Sequence, residues 1–345
     1  MNVLNLVREN IRNIEPYSSA RDEFTESISD MLFLDANENP FENGVNRYPD
    51  PQQKSVKLKL AEIKNIAVEN ILLGNGSDEV LDLIFRTFCE PNRDNVIILP
   101  PTYGMYKVLA NINAVEVKEV QLKNDFQPKT QTILLAANQK SKILFLCSPN
   151  NPTGNSFSQI QVEKLVKQFK GIVVVDEAYV DFSEQESWMN RLEEFPNLII
   201  TQTLSKAFGM AGIRLGICYA SKEIINVLNR IKPPYNVNEL TQQKALERLN
   251  KADEIQNEIQ QIKNQKEKFK LELKQLDFIE KVYPSDANFL LIKVDNATKR
   301  YLQLIENGIV VRNRSNQPLC ENCLRISIGT EKENDKLIVA LKELS

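Results

Sequence analysis

A chain of 345 residues, 42% hydrophobic and 26% charged, is long enough to bury one large core or a large and a small one. Its 43 basic and 46 acidic residues cancel to a net charge of −3, so no global field draws it to nucleic acid or to an acidic membrane surface. It contains no histidine, which excludes Ser-His-Asp triads, Cys-His dyads and histidine-ligated zinc, and leaves proton transfer to Lys, Asp, Glu, Tyr or Cys.

The first 20 residues are polar at every turn, without the apolar run of a signal peptide or the length of a membrane span, so a cytoplasmic location is expected. Apolar, β-branched runs then recur between helical stretches: VIILP (96–100), KILFLC (142–147), GIVVVDEAY (171–179), NLIITQT (197–203) and RLGICYA (214–220). They read as strands buried on both faces, and the helix-period segments 77–89, 103–111 and 158–170 between them predict an α/β fold with a mainly parallel sheet. From 239 to 276 one long charged helix is predicted, with an apolar stripe at Ile255, Ile259, Ile262, Phe269, Leu273 and Leu276 that packs on a domain. NFLLIKV (288–294), GIVVRN (308–313) and LRISIG (324–329) then read as strands of a smaller α+β unit. The expected division is an arm and first part of the small domain over 1–45, a large domain over 46–235, and a C-terminal small domain over 236–345.

The five cysteines, Cys89, Cys147, Cys218, Cys320 and Cys323, are odd in number and scattered, which points to reduced thiols rather than a disulfide framework. Cys320 and Cys323 form a C-x-x-C, but no second pair and no histidine completes a zinc site, and no metal is expected.

Four segments carry the chemistry. LLGNGSDEVLDLIF (72–85) sets glycines, Ser77 and Asp78 before a helix, where free N–H groups suit a phosphate; a turn capped by Ser77 or Asp78 is the plain alternative. SPNNPTG (148–154) presents Asn150 and Asn151 at a strand end, or is simply a turn. VVVDEAYVDF (173–182) puts Asp176 at the end of an apolar strand, where a carboxylate calls for a cation or serves as a cap. TQTLSKAFGMAGIRLG (201–216) places Lys206 after a strand, beside Ser205 and eight residues before Arg214; a desolvated lysine there is a nucleophile toward a carbonyl.

Taken with EPYSSARDEF (15–24), LDANENP (34–40), RYPDP (47–51), PPTYGMY (100–106) and CLRISIGT (323–330), these segments resemble the fold-type I pyridoxal-phosphate aminotransferases, and among them the histidinol-phosphate aminotransferase family, over nearly the whole chain. The resemblance implies pyridoxal 5′-phosphate as cofactor, bonded to Lys206, with Asp176 on the pyridine nitrogen, Tyr179 and Asn151 on the phenolic oxygen and Tyr103 on the ring face. It implies a phosphate held by Gly76, Ser77, Ser205 and Arg214, and by Tyr48 from a second subunit, so that a homodimer is expected. Lys206, freed by the substrate amine, would then move the proton from the substrate Cα, since no histidine can.

For substrates the resemblance implies L-histidinol phosphate and 2-oxoglutarate or glutamate, with Arg312, Arg325, Tyr17 and Tyr235 at the phosphate end, Arg325 also at the carboxylate of glutamate, and Asn151 as a further substrate-binding residue. Arg314 stands two residues after Arg312 and, in extended backbone, points to the same side; that one or both simply face solvent is the plain alternative, and the family spacing favours Arg312. The competing readings are an aromatic aminotransferase or a decarboxylase of a phosphorylated amino acid on the same fold, and a regulator that senses the cofactor. A dehydrogenase is set aside because Glu79 stands where the third glycine of its fingerprint belongs.

Overall fold

The five apolar runs become the centre of a seven-stranded sheet in the computed structural model, which describes residues 2–15 and 32–344. Its strands are β1 (Ile71–Asn75), β2 (Asn95–Ile98), β3 (Glu116–Glu119), β4 (Ser141–Cys147), β5 (Ile172–Asp176), β6 (Leu198–Thr203) and β7 (Leu215–Ala220), in the order β1-β7-β6-β5-β4-β2-β3. From β6 to β3 all neighbours are parallel, and β7 runs antiparallel to both β1 and β6. Because successive side chains point to opposite faces, β4 gives Leu144 and Leu146 to one core and Ile143 and Phe145 to the other. Helices cover both faces, as a sheet apolar on both sides demands. Val3, Val7 and Ile11 pack into the second of these cores, so the start of the chain lies on the large sheet.

A second, antiparallel sheet is built from β8 (Ile279–Val282), β9 (Phe289–Val294), β10 (Arg312–Asn313) and β11 (Cys323–Ser327), in the order β10-β11-β9-β8. Its core of Leu290, Ile292, Leu324 and Ile326 packs against Phe269 and Leu273 of one helix and Leu337, Ile338 and Leu341 of another. The two sheets are stitched beside the loop after β4: Asp286 N donates to Gly154 O at 2.7 Å, and Ser156 N donates to Asp286 Oδ2 at 2.9 Å.

Two elements differ from the sequence expectation. The single helix over 239–276 is two, Glu239–Leu249 and Ala252–Leu273, broken at Asn250 and Lys251, where Asp253 and Glu254 open the second helix with charges that suit a helix N-terminus. The apolar stripe from Ile255 to Leu273 lies on that second helix. The strand expected over 308–313 shortens to Arg312–Asn313, because only those residues pair with β11.

Candidate active site

The carboxyl ends of the parallel strands meet at a pocket of about 380 Å³ lined by Asp176, Thr203, Lys206, Arg214, Arg312 and Arg325, among others. Ligand sites of open α/β sheets form on this side.

At one wall the helix Gly76–Phe88 starts directly from β1. Its first turn has no side-chain cap from Asn75, and Ser77 and Asp78 lie inside that turn rather than capping it. Gly76 has φ +77°, its N–H donates to Arg214 O at 2.7 Å, and a Cβ there would sit 2.7 Å from Arg214 Nη2. Arg214 is itself left-handed (φ 55°) and comes within 4.0 Å of Asp78. An uncapped helix start, a glycine pressed against a guanidinium, and the Ser205 hydroxyl hydrogen-bonded to Thr203 Oγ1 at 2.9 Å together form an anion cradle.

The floor is a buried carboxylate. Asp176 ends β5, accepts from Tyr106 Oη at 2.7 Å and from Ala178 N at 3.2 Å, and pairs with no cation among the described residues. Burial raises its pKa above the ordinary aspartate range. A carboxyl held this way has the capacity to pair with a ligand cation.

Lys206 stands in the tight turn after β6, where Gly209 N returns to Lys206 O at 3.1 Å. Burial among the pocket walls, then the guanidinium groups of Arg325 and Arg214, lower its pKa, with Asp176 acting in the opposite sense. The side chain remains open to water in the pocket, so the effect biases the amine toward its neutral, nucleophilic form without imposing it. Its Nζ lies 5.7 Å from the ring centre of Tyr179, which is buried edge-on against Phe289. Tyr103 also lines the pocket and donates to Asp78 Oδ1 at 3.0 Å.

The turn after β4 divides its two asparagines. Asn150 is wholly buried, bonded to Pro101 O at 2.9 Å and Thr153 Oγ1 at 2.7 Å, and holds the loop, while Asn151 enters the pocket and accepts from Arg325 Nη1. Arg325 also lies 5.3 Å from the ring centre of Phe289. Across the β10–β11 ladder Arg312 is the direct partner of Arg325, and Arg314 follows on the same side, so three guanidinium groups face one cavity. Like charges set directly opposite are destabilising, so this face is built for an anion.

Of the residues singled out from sequence, Ser77, Tyr103, Asn151, Asp176, Tyr179, Ser205, Lys206, Arg214, Arg312 and Arg325 line this one pocket. Tyr48 and Tyr235 stack on each other at 4.5 Å away from that lining, and Tyr17 lies outside the described residues. Sequence reasoning gave no separate role to Tyr106 or Thr203; Tyr106 falls three residues after Tyr103, on the buried face of its helix, which is the signal that could have found it.

A family model for aminotransferase class I and II matches residues 33–341. The chain belongs to this family. The aminotransferase is 65% identical to the histidinol-phosphate aminotransferase of Flavobacterium johnsoniae over 341 residues, 99% of this chain and 98% of that one. Among solved structures, the histidinol-phosphate aminotransferase from Clostridium acetobutylicum superimposes on the aminotransferase with a TM-score of 0.80 at 25% identity, covering 87% of this chain and 91% of that one. The Sinorhizobium meliloti histidinol-phosphate aminotransferase, solved in complex with pyridoxal-5′-phosphate, shares its fold with a TM-score of 0.79 at 22% identity, covering 87% and 84%.

Proposed function

We propose that this aminotransferase exchanges an amino group between L-histidinol phosphate and 2-oxoglutarate, giving imidazole-acetol phosphate and L-glutamate in L-histidine biosynthesis, with pyridoxal 5′-phosphate as cofactor. The observation that carries this reading is a pocket holding Lys206 and a buried Asp176 on one side and an arginine cluster on the other, in a chain 65% identical to a protein of that name.

The residues present fit the cofactor. The start of the helix at Gly76 and Ser77, with Ser205 and Arg214, would hold its phosphate; Asp176 would meet the ring nitrogen; Tyr179 and Asn151 the phenolic oxygen; Tyr103 the ring face; and Lys206 the carbonyl carbon. When bound, this cofactor takes up the electron pair left as the substrate Cα–H bond breaks. Asp176, buried and without a cation of its own among the described residues, favours a protonated ring nitrogen. Lys206 Nζ, biased toward its neutral form, accepts the proton from the substrate Cα. Arg325, fixed by Asn151, and Arg312 orient the substrate by its anionic end, which sets the Cα–H bond toward Lys206.

The reading extends to a homodimer in which Tyr48 reaches the partner's site. Val45, Tyr48 and Leu240 line a shared groove and are more than half exposed, and Leu32, Leu34 and Phe41 are more exposed still, an apolar surface that a second copy would cover. It also places the enzyme in the cytoplasm; among the described residues no helix is long and apolar enough to cross a membrane. The test is an absorbance spectrum of the purified protein with L-histidinol phosphate alone, followed by an assay for glutamate once 2-oxoglutarate is added. Conversion of the lysine-bound spectrum to that of the amino form, and glutamate production, support the reading; a spectrum moved only by other amino compounds would reassign the substrate.

A further inference from the structure

We infer that Arg314 is a specificity-determining residue, which supplies the extra positive charge that lets the pocket favour a phosphate-ended substrate over a carboxylate-ended one. This deepens, and rests on, the histidinol-phosphate reading above.

Arg314 lies just past β10, its backbone N–H bonded to Cys323 O at 2.8 Å. The loop it opens is pinned by Gln317 N to Arg314 O at 2.9 Å, Cys320 N to Gln317 O at 3.1 Å and Cys323 N to Cys320 O at 3.0 Å, with both cysteine side chains buried. The arginine is thus held on a fixed backbone, unlike a surface arginine that sweeps through solvent. Its side chain turns into the same cavity as Lys206, Arg312 and Arg325, and its Nε is buried without a hydrogen-bond partner among the described residues, as is Nε of Arg325. No carboxylate pairs with Arg312, Arg314 or Arg325 among the described residues. Burial first, then Arg325 and Arg312, lower the affinity of Arg314 for its proton, the mark of cations crowded without a counter-ion.

Three forked cations exceed what one carboxylate can use. Glutamate brings a single negative charge and two oxygens to this end of the pocket, which one guanidinium fork satisfies. A phosphate monoester brings a charge of about −1.5 to −2 at neutral pH and three acceptor oxygens. The third arginine therefore gains a partner only when the substrate carries phosphate, and that difference is specificity.

Wild type, Arg314→Gln and Arg314→Lys are compared with L-histidinol phosphate, with L-histidinol, which lacks the phosphate, and with L-glutamate. Binding of L-histidinol phosphate is also measured by calorimetry on each variant in a Lys206→Ala background, where turnover does not interfere. Arg314→Gln is expected to raise KM and Kd for L-histidinol phosphate by roughly tenfold to a hundredfold, the loss of one charge-assisted hydrogen bond, with kcat changed less than about threefold. KM for glutamate and for L-histidinol should shift by less than about threefold, and Arg314→Lys should recover most of the phosphate preference. Equal shifts for all three compounds, or none, would overturn the assignment to Arg314 while leaving the substrate reading standing. A wild type that ignores L-histidinol phosphate but uses other amines would remove both.

Discussion

The phenolic hydroxyl of Tyr106 donates a 2.7 Å hydrogen bond to Oδ2 of Asp176, and both side chains are buried. The ring of Tyr106 is fixed independently by stacking on Phe145 at 4.7 Å, so the hydroxyl is aimed rather than merely near. Asp176 must keep its charge in a place where burial works against it, and Tyr106 is the side-chain donor nearest to hand. Tyr106→Phe leaves the stack intact and removes only this donor. Cofactor affinity, measured by equilibrium dialysis, is expected to fall about tenfold, near the lower end for a hydrogen bond to a charged group. An unaltered affinity would mean that the hydroxyl has no bearing on the carboxylate.

Lys206→Ala tests the amine on which the chemistry turns. Glutamate formation should drop by at least about a thousandfold, the scale of losing a positioned proton carrier and nucleophile. The melting temperature should change little, because Lys206 is open to solvent and fills no core position. A large loss of stability would mark the lysine as structural.

The anion cradle depends on the missing side chain at Gly76. Gly76→Ala would set a Cβ 2.7 Å from Arg214 Nη2 and force a residue with a side chain into a φ of +77°. We expect a stability loss of about 1–2 kcal/mol in chemical denaturation, together with a markedly weaker hold on the cofactor. Gly212→Ala is the matched control, since a Cβ there meets nothing within 4 Å. If both variants retain the cofactor equally well, the cradle lies elsewhere.

Glu177 gives the fold a pH dependence separate from catalysis. Its carboxyl is buried, accepts from Trp188 N at 2.7 Å, Gln202 Nε2 at 3.0 Å and the Ser187 hydroxyl, and is pushed up to about 7 by burial against those donors. In the unfolded chain it titrates in the ordinary glutamate range, so below that range both states hold the proton and nothing is gained or lost. As pH rises from about 4.5 to 7 the unfolded chain releases a proton that the native state keeps, and stability falls; above 7 the cost is complete, about 3 kcal/mol. Denaturant midpoints at pH 5 and pH 8 should therefore differ more in wild type than in Glu177→Gln. Equal differences in the two proteins would show that this carboxyl does not titrate with unfolding.

The sequence yielded the elements whose burial is two-sided. β4, β5 and β6 each contain a continuous apolar stretch, ILFLC, IVVV and LII, as a short strand covered on both faces does. β3 (Glu116–Glu119) and β8 (Ile279–Val282) lie at sheet edges, mix charged with apolar residues, and carry no such signal. The insertion of β7 between β1 and β6 was invisible, because strand order is decided by packing and not by any residue along the chain. In the pocket, residues with unusual local chemistry, such as Lys206 after a strand or Asp176 at the end of one, stood out. Tyr106 acts through Asp176, 70 residues further along the chain, which no local pattern reveals; Thr203, bonded to Ser205, carries no chemistry of its own that marks it, and Arg314 has only its spacing from Arg312.

The cradle is closed by two left-handed residues joined through a single hydrogen bond, Gly76 at φ +77° and Arg214 at φ 55° with its carbonyl on the Gly76 N–H. An arginine in that region costs on the order of 1–2 kcal/mol, which the rest of the fold must absorb for as long as no phosphate helps to hold the loop. Occupancy at a hundred times the dissociation constant would return about 2.7 kcal/mol by mass action. Limited proteolysis with and without added cofactor is therefore expected to cut the cofactor-free protein faster, which would tie the lifetime of the polypeptide to cofactor supply.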